Sequence, residues 1–328
     1  MTIQMTVIGL GQIGTSIGLA LAQETNQLLR VGHDRSSEIA RKAQKMGAFD
    51  RIETNLHAAV EQADLVVLAL PADEIRQMLE WIGEDLKPET VVLDTSVVKA
   101  AVFEWAAELL PSQCPLVGFT PTLNPAYFHE TETSYETAHS DLFKNSQVII
   151  TSSPGTPSDA LTLASNLVVL LGAQPLFADA VEADGLATSS ILLPKLSAVA
   201  LLNAITDQPG WKEARKLAGS AFADATQPML RLEESKAAEQ IFMLNRANVV
   251  RVLDDLIASL QHLRQVIENQ DDKALHQLLE QARQKRQNWW QDRQQANWAT
   301  PGPTDEMPTR GEAFGRLFGL GRRSKEKK

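Results

Sequence analysis

The sequence predicts an α/β domain built on a parallel sheet, followed by an all-helical domain. Three observations carry this. Residues 6–20 read as a buried strand, a glycine turn and the first turns of a helix. Short apolar runs then alternate with helical patterns to about residue 151. Beyond residue 153 the alternation gives way to helices.

In Val7-Ile8-Gly9-Leu10-Gly11-Gln12-Ile13-Gly14 the first glycine ends an apolar strand, the second lets backbone approach a pyrophosphate, and the third permits close helix–strand contact. The helix start, from Gln12 and Ile13 to Ser16, would point unpaired amides at the phosphates. A second strand is expected over 28–34. Asp34 at its end could hydrogen-bond both adenosine ribose hydroxyls and would repel a ribose phosphate, so NAD is favoured over NADP. Arg35 pulls the other way, because a guanidinium there could pair with a phosphate if Asp34 turned aside.

Ser36 and Ser37 can cap a helix running to about Met46 and ended by Gly47. A short strand over 50–53 and a short helix over 56–63 follow. Leu65-Val66-Val67-Leu68-Ala69-Leu70-Pro71 is nearly all apolar, which suits a central parallel strand covered on both faces. Its end, with Leu70 and Pro71, is expected on the edge of the binding crevice, since open sheets bind ligands beyond the carboxyl ends of their strands. Ile75, Met78, Leu79 and Ile82 recur at helical spacing. A strand over 90–94, a helix over 99–110 and a strand over 116–119 come next. The loop Thr120-Pro121-Thr122-Leu123-Asn124-Pro125 and a strand over 147–151 complete the domain.

Ser152-Ser153-Pro154-Gly155-Thr156-Pro157 marks the boundary. The expected division is a dinucleotide-binding domain over 1–153, a helical substrate and dimerisation domain over 154–298, and a flexible basic tail over 299–328. Within the second domain a helix over 159–171 and a short strand or connection over 173–177 precede a long helix over 181–205. That helix has little charge at its centre and is expected to be buried between other helices or subunits. Helical patterns resume over 211–225 and from 233 to about 293, with a break near 269–272. Trp289, Trp290 and Trp298 read as capping the last helix. The tail mixes basic residues with Phe314, Leu317, Phe318 and Leu320, but its glycines make it a poor helix former, and it reads as a solubilising segment.

A chain of 328 residues accommodates two domains with a substantial core. A net charge of -10 argues against a general nucleic-acid binder. The single cysteine, Cys114, rules out an intramolecular disulfide, fits a reducing compartment and reads as a buried or incidental thiol. The six histidines have no metal-ligand spacing, so no metal is expected. The N-terminus enters the first strand at once, leaving no room for a signal peptide, and no apolar run reads as long enough to span a bilayer. The expected location is cytoplasmic.

Five side chains stand out as candidates for chemistry. Lys195 interrupts an apolar helical stretch, where it could orient a substrate carboxylate, or act as a base if desolvation lowered its pKa; the alternative is a lysine snorkelling to solvent. Lys99 could pair with Asp94 or contact substrate, and as a helix-start lysine it sits at the unfavourable end of the dipole. Ser96 lies in the same stretch. Thr120 and Asn124 can donate hydrogen bonds from the crevice loop, although Asn124 before Pro125 serves equally as a turn residue. His129 and His139, on a polar acidic segment, read as surface residues. No Ser/His/Asp series has a defensible spacing.

The glycine fingerprint, the strand ending Leu68-Ala69-Leu70-Pro71, the segment Asp94-Thr95-Ser96-Val97-Val98-Lys99 and the helical second half together resemble the prephenate and arogenate dehydrogenases, over roughly residues 5–290. The resemblance implies a nicotinamide cofactor that accepts hydride from a hydroxylated cyclohexadiene as carbon dioxide is lost and the ring becomes aromatic. It implies a histidine at the hydroxyl, and subunits paired through the helical domain. Members of that family carry aspartate and then a serine-histidine-leucine-proline-histidine stretch. The matching region here is Asp184-Gly185-Leu186-Ala187-Thr188-Ser189-Ser190-Ile191-Leu192-Leu193-Pro194-Lys195, which keeps the aspartate-to-proline spacing. Leu192 thus falls where the resemblance places the catalytic histidine, and Lys195 where it places the second. Thr120-Pro121-Thr122 corresponds to the family's histidine-proline-methionine, and Val97 to its serine, with Ser96 adjacent.

These departures touch the chemistry rather than the scaffold. The expectation is a dimeric NAD-dependent oxidoreductase of this type, acting on a small hydroxylated carboxylic acid with an altered substrate. The alternatives are a catalytically silent NAD-binding sensor or structural protein, and a dehydrogenase resembling the beta-hydroxyacid group with Lys195 as base.

Overall fold

The structure, a computed structural model, describes residues 2–23, 27–232, 235–296 and 298. The expected tail over 299–328 lies outside them. The chain divides into two compact units, with the division between Ala183 and Asp184.

The first unit opens with β1 (Ile3–Ile8), α1 (Gln12–Ala20), β2 (Leu28–His33), α2 (Ser37–Lys45) and the two-residue β3 (Arg51–Ile52). It continues through α3 (Leu56–Val60), β4 (Leu65–Leu68), α4 (Ala72–Ile82), β5 (Val91–Asp94), α5 (Ala100–Leu109) and β6 (Leu116–Pro121). The last elements are β7 (Gln147–Ser152), α6 (Ser158–Leu170) and β8 (Gln174–Ala178). The eight strands form one sheet in the order β3-β2-β1-β4-β5-β6-β7-β8. The chain first moves outward from β1 to β3 and then resumes at β4 on β1's other side. This switch opens a crevice beyond the carboxyl ends of β1 and β4. The apolar run at 65–68 pairs with β1 on one side and β5 on the other and is buried throughout, as a strand covered on both faces must be.

Two features depart from the sequence reading. β7 runs antiparallel to β6, because its connection contains no crossover helix. The segment after α6, open as strand or connection in the sequence, is a full strand pairing in parallel with β7. The sheet therefore carries the first unit to residue 183, past the boundary expected at 153.

Arg30, buried in β2, holds the β2 end of the sheet together. Its guanidinium and amide both engage Asp50, with Nη2 to Oδ1 at 2.7 Å, and Nη1 donates to the carbonyls of Gly18 and Gly47. Burial pushes the Asp50 carboxyl up, but the Arg30 hydrogen bonds and charge together outweigh it and hold the group below its usual value. Cys114 is buried, and burial raises its thiol pKa.

The second unit is helical. α7 (Ala180–Ala187) crosses the division. A π-helical turn at Thr188–Leu192 follows, and then α8 (Leu193–Thr206). The remaining helices are α9 (Trp211–Ala214), α10 (Ser220–Thr226), α11 (Ser235–Leu244), α12 (Arg246–Glu268) and α13 (Asp272–Gln295). The helix expected over 211–225 is thus two short helices, whereas the one expected over 181–205 is one continuous helical stretch that carries the π turn. Arg286 lies over the rings of Trp289 and Trp290, and Arg293 lies 5.5 Å from the Trp298 ring centroid.

The continuous stretch Ala180–Thr206 corrects one expectation. At 27 residues with a mean hydropathy of 1.5 in its most apolar window, it is long and apolar enough by length and composition to cross a bilayer. Only 22% of that window is buried within the chain, so the burial expected of it is not supplied by this chain's own helices.

Candidate functional site

The first βα turn admits only glycine at two points. Gly9 has φ +91°, and a Cβ there would lie 2.4 Å from the Ala69 carbonyl oxygen and 2.8 Å from Leu70 Cδ2. A Cβ on Gly14 would lie 2.0 Å from the Gly9 oxygen, so its absence lets α1 seat against the turn. Leu70, just beyond β4, forms the turn's other wall, and Pro71 is the N-cap of α4. Gly11, the extended N-cap of α1, gives the helix no side-chain cap. Asp34 sits beyond β2, where its Oδ2 accepts from the Leu10 amide at 2.8 Å and its Oδ1 from the Ser36 amide at 2.8 Å. The acid predicted to meet the ribose is therefore tied into the glycine turn itself. Arg35 points elsewhere: its Nη1 meets Glu74 Oε1 at 2.9 Å, and its side chain is 83% exposed. A turn with no room for side chains, a helix start without a side-chain cap and an acid fixed beside them fit a dinucleotide.

A segment that sequence reasoning passed over also reaches this turn. Between β6 and β7 the chain makes short 3₁₀ turns at Pro125–Tyr127 and Tyr135–Thr137. Here the Thr133 carbonyl accepts the Gln12 amide at 3.1 Å. Gln12 Nε2 donates to the Thr137 carbonyl at 2.9 Å and to Glu130 Oε2 at 3.3 Å. His139, read as a surface residue, is half-buried: its amide donates to Ser16 Oγ, its Nε2 lies 2.7 Å from Glu130 Oε1, and its ring stacks on Tyr127 with centroids 4.0 Å apart. The Tyr127 hydroxyl donates to Asp141 Oδ1. That carboxylate, with burial adding to it, pushes the phenol up to about 12. His129 is exposed, as read. No periodicity marks this segment, so its contacts are visible only in the folded chain.

At the ends of β5 and β6 four predicted residues are brought into two hydrogen-bonded groups. Lys99 is buried and takes the first of its two possible roles. Its Nζ lies 2.6 Å from Asp94 Oδ2 and 2.8 Å from the Asp94 carbonyl oxygen. Gly118 makes room for it, since a Cβ there would lie 2.9 Å from Lys99 Cδ. Ser96 donates from its amide and hydroxyl to the same carboxylate, and Thr120 Oγ1 donates to the Ser96 carbonyl at 2.7 Å. Asn124 is a turn residue: its Oδ1 accepts the Ala126 amide and its Nδ2 donates to the Asp141 carbonyl.

Within the helical unit the π turn has identifiable causes. Pro194 lacks the N–H that an α-helix would direct at the Ser190 carbonyl, and the Leu193 amide reaches back five residues to Thr188. The Asp184 carbonyl accepts from both Thr188 Oγ1 at 2.6 Å and Asn245 Nδ2 at 3.0 Å. Asn245 Nδ2 also donates to Thr188 Oγ1, and Asn248 Nδ2 to Asn245 Oδ1. A π turn adds a residue to the ladder and so rotates everything after it. Leu192, 1% exposed, ends the turn, and Lys195, 9% exposed, begins the next helix. No sequence signal identified Asn245, which lies far along the chain from the turn it clamps.

Strand order, glycine turn and acid together place the first unit in the class of dinucleotide-binding folds. The comparisons sharpen this to a family. Residues 17–176 match the description "Prephenate dehydrogenase, nucleotide-binding domain" and residues 184–281 match "Prephenate dehydrogenase, dimerization domain". The chain belongs to the prephenate dehydrogenase family of NAD-dependent oxidoreductases. It is 26% identical to the prephenate dehydrogenase of Bacillus subtilis, covering 85% of this chain and 74% of that protein. Against the cyclohexadienyl dehydrogenase of Zymomonas mobilis it is 24% identical over 81% of this chain and 89% of the relative. In fold it is similar to prephenate dehydrogenase from A. aeolicus in complex with hydroxyphenyl propionate and NAD+, with TM-score 0.77 at 21% identity, covering 88% of this chain and 98% of that one.

Proposed function

We propose that this enzyme oxidises a small hydroxylated carboxylic acid with NAD, in preference to NADP, and works as a homodimer in the cytoplasm. The observation that carries the cofactor half is Asp34, held by the Leu10 amide beside the glycine turn while Arg35 is engaged by Glu74. A fixed carboxylate there accepts ribose hydroxyls and repels a ribose phosphate. Gly9, Gly11, Gln12, Ile13 and Gly14 would cradle the pyrophosphate, with Leu70 and Pro71 on the opposite wall. When bound, the nicotinamide supplies the hydride acceptor.

For the substrate, the names of the relatives support a cyclohexadienyl acid. Leu192 and Lys195, standing where the family resemblance expects histidines, support a different handling of it. Lys195 is assigned to the substrate carboxylate, or to the hydroxyl proton if it is neutral when substrate binds. Ser96 and Thr120 stand at the strand ends with their hydroxyl protons donated to Asp94 and to the Ser96 carbonyl, so toward substrate they would serve as acceptors. Lys99 and Asn124 act one step removed, by fixing Asp94 and the crevice loop. The homodimer rests on the match to a dimerization domain and on α12, where Val250, Ile257, Leu260 and Ile267 share one face and are each about half exposed. The lone buried thiol of Cys114 suits a reducing compartment.

The test is NADH production over prephenate, arogenate and a panel of 2- and 3-hydroxy acids. Turnover on at least one is expected, with Lys195→Met raising KM or abolishing turnover while NADH affinity stays within about twofold. Silence across the whole panel overturns the dehydrogenase reading.

A further inference from the structure

The amide of Gln12 is the first helical N–H of α1, the group that a dinucleotide-binding turn aims at the pyrophosphate. In this chain it is already taken. The Thr133 carbonyl accepts it at 3.1 Å, and a Cβ built on Gly11 would lie 3.4 Å from the same oxygen, so the carbonyl rests on the backbone of the cradle. The Gln12 side chain is 5% exposed and is spent on the same segment, through the Thr137 carbonyl and Glu130.

Two further anchors hold the segment down. The His139 amide donates to Ser16 Oγ one turn along α1, and Glu130 bridges Gln12 on α1 to His139 at the segment's far end. Lys42 on α2 lies 5.4 Å from the Tyr135 ring centroid. The result is a strap over residues 129–139, with the Thr133 carbonyl on the first amide of the helix, where a phosphate oxygen would go, and the Glu130 carboxylate on the side chain of the same residue.

We infer that this strap is a built-in competitor of the cofactor: residues 129–139 occupy the first amide of the pyrophosphate cradle and must lift before a dinucleotide can seat, with Glu130 as the latch. The Thr133 carbonyl and a pyrophosphate oxygen compete for the one Gln12 amide, and Glu130 holds that carbonyl in place through the Gln12 side chain and His139, so a seated cofactor and a latched strap exclude each other. Binding then proceeds through a minority open state, and the observed affinity is reduced by the fraction of chains that are open. This rests on the reading that Gly9 to Gly14 hold a dinucleotide.

The experiment is rapid-mixing NADH binding, followed by cofactor fluorescence, on the full chain and on Glu130→Gln. The wild type is expected to show an observed rate that saturates with NADH concentration. The variant keeps the side-chain shape and loses the charge, and is expected to bind NADH at least fivefold more tightly with a faster limiting rate. Hydrogen exchange on the wild type supplies a readout free of any variant: NADH is expected to speed exchange in peptides covering 129–139. Equal affinities with rates that rise linearly with NADH, or slower exchange in the strap on binding, overturn the latch and leave the dinucleotide reading intact. No binding by either protein overturns that reading and the latch with it.

Discussion

The two units bury their apolar residues by different means. In the sheet unit β4 and β5 are buried at every position, and even the charged side chains of Arg30, Asp94 and Lys99 find partners inside the unit. In the helical unit the long stretch Ala180–Thr206 is mostly unburied by the chain itself, and α12 carries an exposed apolar row at near-heptad spacing. A sheet flanked by helices closes its own core, whereas a few helices leave one face of each unpaired. The first unit is therefore complete as a scaffold, and the second leaves apolar surface exposed, as the proposed homodimer requires.

The sharpest way to break this contrast is to remove Lys99. Lys99→Met takes the cation from the buried Asp94 carboxylate and leaves it only the Ser96 amide and hydroxyl, and should cost about 3–5 kcal/mol in chemical denaturation. Adding Asp94→Asn should recover much of that loss. A cost near zero for the single variant would show that the pair is not part of a closed core.

Arg30→Met is the next largest effect, at about 2–3 kcal/mol, because Asp50 retains access to water while two carbonyls lose their donor. The pH dependence follows from the sign of the Asp50 shift. Its folded pKa lies below the unfolded value of about 3.9, so the stabilisation is fully present above that pH and is lost as pH falls through the folded pKa. Wild type should therefore lose stability relative to Arg30→Met below about pH 4. Parallel acid curves would remove this pair from the account.

The helical unit is tested through its exposed row. Ile257→Glu with Leu260→Glu should leave the fold of each unit intact and weaken dimerisation at least 100-fold, about 2.7 kcal/mol, as seen in concentration-dependent light scattering. An unchanged dimer would place the partner on another face. The smallest effect belongs to the surface pair of Arg35 and Glu74. Glu74→Gln frees an exposed guanidinium beside Asp34 and should improve NADPH binding relative to NADH by no more than about fivefold, in keeping with the 0–1 kcal/mol typical of exposed ion pairs. A larger shift would make Arg35, not Asp34, the main determinant of cofactor choice.

Local features of the sequence were enough for the scaffold. Strand 65–68 is legible because an apolar run is what a strand covered on both faces requires. Gly9 and Gly14 are legible because backbone contacts at 2.4 and 2.0 Å forbid any Cβ. Asp34 follows from its distance along the chain from that turn. What could not be read were pairings between distant segments of similar composition. Residues 125–139 carry no period, so nothing in them announces that Thr133 meets Gln12 or that His139 meets Glu130. Lys99 offered two roles until Gly118 and Asp94 were placed beside it, and β8 stayed undecided until β7 supplied its ladder.

The sequence by itself determined the dinucleotide turn, the alternation that builds the sheet, the helical second half and the presence of a leucine at 192, where the family resemblance expects a histidine. Each is a matter of short-range sterics, hydrophobic period or residue identity. Only the tertiary structure decided the antiparallel β7, the division at residue 183, the Asn245 clamp on the π turn and the strap on the cradle. Each of these depends on contacts between residues tens of positions apart, and such partners are chosen by packing rather than by the local chain.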